Sequence, residues 1–172
     1  MKAAVVREHG GPDRLNFEPN FPDPKPGEGD VIVAVKASSL NYHDVFTRRG
    51  MPGISIAMPM IMGLDIAGEI DELGPGVAGW AIGDRVLVDP IDRARGGLMG
   101  ETVHGGLAER CRVSAAQLIR VPDRVSFEEA GVIDPARNRS RCRKLGNRYC
   151  ASPKEIEVET PLPVIRRGRP ES

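Results

Sequence analysis

Residues 63–86 read GLDIAGEIDELGPGVAGWAIGDRV, and this stretch decides the fold class. Around Gly68, apolar Ile66 and Ile70 alternate with polar neighbours, which is the pattern of a strand. The run stops at Gly74-Pro75-Gly76, where neither a helix nor a strand continues, and resumes as GDRVLVDP. The same pattern recurs on both sides. KAAVV near the start, DVIVAVKASSL from Asp30 and GGLAERCRVSAAQLIRVPD from Gly105 are short β-branched runs bounded by Gly, Asp or Pro. Between the first two, PNFPDPKPGEGD has too many prolines and glycines for a central strand or a helix. Many short strands with such turns predict a mainly β module, a barrel or sandwich, over residues 1–130.

The global numbers limit what any motif can mean. The chain has 172 residues, enough for one domain with a buried core and some extra length. Lys and Arg total 24, as do Asp and Glu, so the net charge of zero favours neither a nucleic acid nor a membrane surface as partner. The first residues lack an apolar leader core and no run reaches the roughly 18 apolar residues of a membrane span, so a soluble, cytoplasmic chain is expected. Cys111, Cys142 and Cys150 are odd in number and unpaired in spacing, which argues against a disulfide framework or a four-cysteine zinc lobe. The zero average conceals a division. Residues 1–130 carry 14 basic and 19 acidic side chains, and residues 131–172 carry 10 and 5.

Within the β pattern, SSLNYHDVFTRRG at residues 38–50 reads as a short helix. Asn41 is its N-cap, Asp44 stands three residues on at the positive end of the helix dipole, and Gly50 followed by Pro52 ends it.

The order LNYHDVFTRRG, then PMIMGLDIAGEIDELGPGVAGWAIGDRV, then GGLAE, then VPDRVSFEEA resembles the N-terminal GroES-like domain of the medium-chain dehydrogenase/reductases. The resemblance covers residues 1–130 and implies a partly open β-barrel with short helices. In that superfamily the zinc alcohol dehydrogenases carry Cys where this chain has Asn41, and Gly-His-Glu where it has Gly63-Leu64-Asp65. A catalytic zinc needs about three Cys, His or carboxylate ligands, and Leu64 offers no donor. The segment after Val88 has no cysteine for a structural zinc either. His43 and His104 are the only nearby imidazoles.

What is left resembles the zinc-independent quinone oxidoreductase branch, which implies hydride transfer from NADPH to a quinone or enone without zinc. By resemblance, Asn41 and Asp44 are the catalytic candidates, and Asn41, Tyr42 and Asp44 would touch the cofactor. Phe46, Leu64 and Asp65 would line the acceptor. Local explanations compete with each assignment. Asn41 and Asp44 can simply cap a helix. Tyr42 and Phe46, four apart, can pack in the core. By resemblance His43 would stand near the proton-relay hydroxyl position of the zinc enzymes, but the stronger reading is a solvated histidine. Met51, Met58, Met60 and Met62 read as adaptable loop packing.

No glycine pair, whether Gly10-Gly11, Gly74-x-Gly76 or Gly105-Gly106, stands in the strand–turn–helix setting that binds a dinucleotide. Ser126 and Glu129 form a capping box that opens a helix, and Gly131 and Pro135 break it. Residues 131–172 are basic and Pro-rich and lack periodicity, so they are expected to be a disordered or out-of-frame tail. Binding of its ARNRSRCRK run to nucleic acid is the weaker reading, since Tyr149 is the one aromatic nearby. Two function classes follow. One is a quinone or enone oxidoreductase, inactive or weak as this chain and unresolved between NADPH and NADH. The other is a non-catalytic GroES-like interaction module or gene remnant, with exposed apolar surface that favours self-association.

Overall fold

The computed structural model describes residues 1–131. In chain order its elements are β1 (Ala3–Val6), β2 (Leu15–Glu18), β3 (Asp30–Ser39), α1 (Tyr42–Arg49), β4 (Met60–Ile61), β5 (Asp65–Leu73), β6 (Arg85–Val88), β7 (Arg110–Ser114), β8 (Leu118–Arg120) and α2 (Phe127–Ala130). Five strands form one sheet in the order β7-β3-β5-β6-β8, and three form a second in the order β2-β1-β4. Every pairing between these strands is antiparallel. The described strands stay in two sheets and do not close into a full ring, which matches the partly open, mainly β architecture that the sequence implied.

The five apolar segments named above become β1, β3, β5, β6 and, from the last, both β7 and β8, and residues 19–29 hold no strand or helix. β2 and β4 were not predicted. LNFE and the two-residue β4 carry too little pattern to be read, and tertiary pairing with β1 makes them strands, as Ala4 meets Phe17 and Val5 meets Ile61.

β3 and β5 form the centre. Val31, Val33, Ile66 and Ile70 pack with Val86 and Val113 in one cluster, and Ala67 and Leu87 pack with Val125 and Ala130 in another. A strand in the middle of such a sheet is covered on both faces, which is why VIV reads as a continuous apolar run. Each fully buried Val or Ile contributes about 1.5–3 kcal/mol relative to exposure. Gly68 is required by the close approach of β3, since a Cβ there would lie 2.2 Å from the Ala34 carbonyl oxygen.

The β3–β5 register shifts twice: Asp71 is an extra residue on β5 between the Ile32–Glu72 and Val33–Ile70 pairs, and Lys36 is an extra residue on β3 between the Val35–Gly68 and Ala37–Ala67 pairs. A one-residue shift exchanges the faces of the side chains beyond it, and the second shift here restores the alignment that the first changed. Beyond the second bulge Ser38 meets Ile66 and Ser39 meets Asp65, which brings the end of β3 onto the GLDIAG start of β5.

At the edge, Asp30 is buried and accepts from Arg95 and Arg112, so it ties the loop after β6 to β3 and β7. Burial alone would push the Asp30 carboxyl up, but the two guanidiniums outweigh it and hold it below the usual carboxylate range. At the far end, Ser126 Oγ accepts from the Glu129 N–H at 3.1 Å and Glu129 Oε2 accepts from the Ser126 N–H at 2.9 Å. The capping box therefore starts α2, which is four residues long with Gly131 at its C-cap. The rest of the expected basic tail, residues 132–172, lies outside the described residues.

Candidate functional site

The site is built where β3 ends, α1 begins and β5 starts. Because Ser39 lies opposite Asp65, the chain turning through Leu40 and Asn41 into α1 stays beside the Asp65 carboxylate. Ser39 Oγ donates to Asp65 Oδ2, and Asn41 Nδ2 donates to the same oxygen at 2.9 Å. Ser38 Oγ donates to the Asp65 carbonyl at 2.7 Å, which fixes the backbone beneath.

Asp44 does the matching work inside. Its Oδ2 accepts from the Asn41 N–H at 2.7 Å and its Oδ1 from the Gly63 N–H at 2.8 Å. This closes the start of α1, as the capping reading expected, and anchors α1 to the loop that carries Leu64. Asp44 is only 4% exposed. Burial pushes its carboxyl above the usual range; the two N–H groups oppose that without cancelling it, and the Asp65 charge adds to it.

Gly63 sits at φ +98, in the region that favours glycine. Its carbonyl accepts from the Gly106 N–H at 2.9 Å, and a Cβ on Gly105 would lie 2.2 Å from that oxygen. Residues 105–107 thus brace the Gly63-Leu64-Asp65 segment through direct backbone contact.

On the outer side of α1, Tyr42 is 84% and Phe46 50% exposed, beside Leu40 at 68%. The core-packing alternative for Tyr42 and Phe46 is therefore overturned. The buried side of α1 is polar, formed by Asp44, Thr47 and Arg48, with an Arg48 guanidinium N–H donating to the Gly10 carbonyl. Hydrogen bonds dock this helix, which leaves its aromatic side free. Leu64 is half-buried, beside Asp65 in the chain.

His43 Nε2 lies 2.8 Å from Glu101 Oε2, in a contact that is short but not aligned as a good hydrogen bond. Sequence reasoning missed Glu101 and Ser39. Glu101 stands in a Gly-rich loop with no periodic signal, and Ser39 gains its role only through the register of β3 on β5. His104 lies apart from the site. Burial pushes its imidazole below the usual range, its Nδ1 accepts from the Ile61 N–H at 3.2 Å, and its ring meets Phe21 edge-on at 5.6 Å. It lines a cavity of about 770 Å³ with Phe21, Met58, Met60, Met99 and Cys111, and none of the sequence-predicted site residues lines that cavity.

The residues present do not fit a catalytic zinc. Leu64 has no donor, Asp65 already accepts from Ser39 and Asn41, and the Asn41 amide nitrogen is turned to that carboxylate. Among the described residues no group of three or more His, Cys, Asp or Glu side chains is placed to hold a metal. Nor do the described residues fit the pyrophosphate of a dinucleotide, because all their sheet pairings are antiparallel and none forms a strand–turn–helix–parallel strand unit. No described helix is long and apolar enough to cross a membrane.

Comparison with known proteins agrees with this architecture. The family model of the alcohol dehydrogenase GroES-like domain matches residues 27–123. An alcohol dehydrogenase from Geobacillus stearothermophilus is 33% identical over 149 residues, covering 77% of this chain and 43% of its own. A quinone oxidoreductase from Lama guanicoe is 30% identical over 133 residues, covering 77% of this chain and 37% of its own. Among solved structures, an NAD-dependent alcohol dehydrogenase superposes with a TM-score of 0.75 at 35% identity, over 85% of this chain and 48% of the other. The chain spans less than half the length of these relatives. With the match extending over more than half of its residues, the chain belongs to the alcohol dehydrogenase GroES-like domain family, within the medium-chain dehydrogenase/reductases.

Proposed function

We propose that this chain provides the acceptor-binding side of a zinc-independent oxidoreductase that passes a hydride from NADPH to a quinone or enone. The observation that carries this reading is the Asn41–Asp65 hydrogen bond at 2.9 Å beside Leu64. Where the zinc alcohol dehydrogenases place ligands, this chain has a hydrogen-bonded amide and carboxylate with an apolar neighbour. An uncharged acceptor suits such a place. The exposed Leu40, Tyr42 and Phe46 supply a flat apolar shelf for a conjugated ring.

In this reading Asn41 and Tyr42 face cofactor and acceptor, and Phe46, Leu64 and Asp65 form the acceptor wall. Asp44 acts through Asn41 and Gly63 by holding both in place, which makes it a positioning residue. Reduced nicotinamide supplies the hydride when bound. Its pyrophosphate would have to be held by residues other than the described ones, so NADPH alone should bind this chain weakly.

Two measurements on the purified 172-residue chain test the reading. Equilibration with zinc followed by gel filtration should leave no stoichiometric metal, and saturable quinone binding should perturb Tyr42 and Phe46. One tightly bound zinc per chain, or no quinone response at all, would overturn it. A second reading, a non-catalytic interaction module, is favoured by the same exposed shelf. It predicts self-association that disappears in a Tyr42→Ser, Phe46→Ser double variant, measured by sedimentation.

A further inference from the structure

We propose that neutral His104 is a positioning residue for the Gly63-Leu64-Asp65 segment, and that protonation of its ring loosens that segment. The inference concerns the backbone beneath the site and holds whatever molecule the site accepts.

His104 stands on the loop that leads into β7, and two hydrogen bonds join this loop to Ile61 of β4. The Ile61 N–H donates to His104 Nδ1 at 3.2 Å, and the Gly105 N–H donates to the Ile61 carbonyl at 2.8 Å. The next residues continue the seam. The Leu107 N–H donates to the Met62 carbonyl at 2.8 Å and the Gly106 N–H to the Gly63 carbonyl at 2.9 Å. At the end of this seam Gly63 gives its own N–H to Asp44 and leads directly into Leu64 and Asp65. Of these seam bonds, the one at His104 ends on a side chain, and that side chain titrates.

An imidazole nitrogen that accepts a hydrogen bond carries no proton, so the bond from Ile61 requires a neutral ring with its proton on Nε2. A second proton would turn Nδ1 into a donor facing a donor. Ile61 is 1% exposed, so its N–H has little water to turn to once that acceptor is lost. The proton itself has access, because His104 as a residue is exposed and lines a cavity of about 770 Å³. Protein packed against part of the ring, including Phe21 edge-on at 5.6 Å, disfavours the charged form and holds the pKa below the ordinary value of about 6.5. The bond from Ile61 favours the neutral form as well.

The charged groups that share the cavity answer one another. Asp30 is paired with Arg95 and Arg112, Asp23 with Arg110 and the Met1 amino group, and Asp92 accepts from the Ala94 and Arg95 N–H groups. Lys25 and the Cys111 thiol, which burial pushes up to about 12, complete the titratable groups there. None of them forms an ion pair with His104, so no carboxylate waits to hold the charged ring in place. As the pH falls from about 6.5 the unfolded chain takes up this proton first, and the native ring follows at its lower value. The seam is closed above that value and opens at His104 below it.

A pH titration of the isotope-labelled full chain, from about pH 7.5 to about pH 5, tests this. At neutral pH the His104 signals should show a bare Nδ1 and a protonated Nε2. As the ring titrates, the protection of the Ile61 amide against exchange, taken relative to its intrinsic rate, should fall about tenfold. The Gly63 and Gly106 amides should shift with the same midpoint. His104→Gln keeps a side-chain oxygen able to accept but does not titrate, and it should abolish that midpoint at Gly63.

The variant also separates His104 from Asp44, whose carboxyl holds the Gly63 N–H and is itself raised by burial. A midpoint at Gly63 that persists in His104→Gln belongs to Asp44 and overturns the proposal. A proton on Nδ1 at neutral pH overturns it too, as does an Ile61 amide whose protection stays constant while His104 titrates. Both of these are read on the native chain and need no variant to fold.

Discussion

Asn41 and Asp65 are joined by a hydrogen bond of 2.9 Å from amide nitrogen to carboxylate oxygen, although α1 and β5 meet only because β3 returns the chain to that point. Asp65 also takes the Ser39 hydroxyl, so the carboxylate has two donors. Removing the Asn41 donor should cost about 1–2 kcal/mol in Asn41→Ala, the range for a bond to a charged acceptor. Asn41→Asp should cost more, because two carboxylates would then share one hydrogen-bond distance. Urea denaturation compares the two variants, and an Asn41→Asp chain as stable as Asn41→Ala would refute the relationship.

Asp44 predicts a stability that depends on pH in the direction opposite to an ordinary ion pair. Burial raises its native pKa, so the folded chain holds the proton more tightly than the unfolded one. Its contribution is then greatest at low pH and declines as the pH rises from about 4, the unfolded value, through the raised native value. The stability of the native chain relative to Asp44→Asn should therefore fall over that window. Asp44→Ala should cost about 2–4 kcal/mol at any pH, since the Asn41 and Gly63 N–H groups lose their acceptor. A native-minus-Asn difference that grows with pH contradicts the burial argument.

Asp30 predicts the reverse slope. Arg95 and Arg112 hold its native pKa low against burial, so its contribution is full above about 4 and is lost as the pH falls through the native value. Asp30→Asn should destabilise the chain by about 2 kcal/mol at neutral pH. That is less than for a fully enclosed pair, because Arg95 and Arg112 are half exposed to solvent. The difference from the native chain should shrink on acidification, and thermal melts from pH 7 to pH 3 would expose a constant difference.

Gly105→Ala tests the brace behind the site. Its Cβ would meet the Gly63 carbonyl oxygen at 2.2 Å, and backbone on both sides leaves no flexible side chain to yield. A cost of about 2–3 kcal/mol is expected from overpacking, together with weaker protection of the Gly63 amide from hydrogen exchange. An unperturbed Gly63 amide would show that the loop moves freely to accept the methyl group.

Much of the fold was legible because it rests on local chemistry. Gly74-Pro75-Gly76 ends β5 wherever it occurs, the Asn41–Asp44 spacing caps a helix from within one turn, and the Ser126–Glu129 box does so again. The edge strands were not legible. LNFE becomes β2 only because β1 offers it a partner. Tyr42 and Phe46 carried the spacing of a packed pair, yet the buried side of their helix proved to be polar, since Arg48 and Asp44 find backbone partners there.

From residue order alone came the β class, the helix at 42–49 and the family resemblance. These follow from propensity, from turn chemistry and from which side chains carry donors, all of which are properties of neighbours in the chain. Only the tertiary structure decided that Ser39 and Asn41 share the Asp65 carboxylate and that Glu101 meets His43. The first depends on the register of β3 on β5 beyond two compensating extra residues, Asp71 on β5 and Lys36 on β3, and the second on where a long loop returns. Contacts between residues far apart in sequence are set by register and loop path, and no local pattern records either.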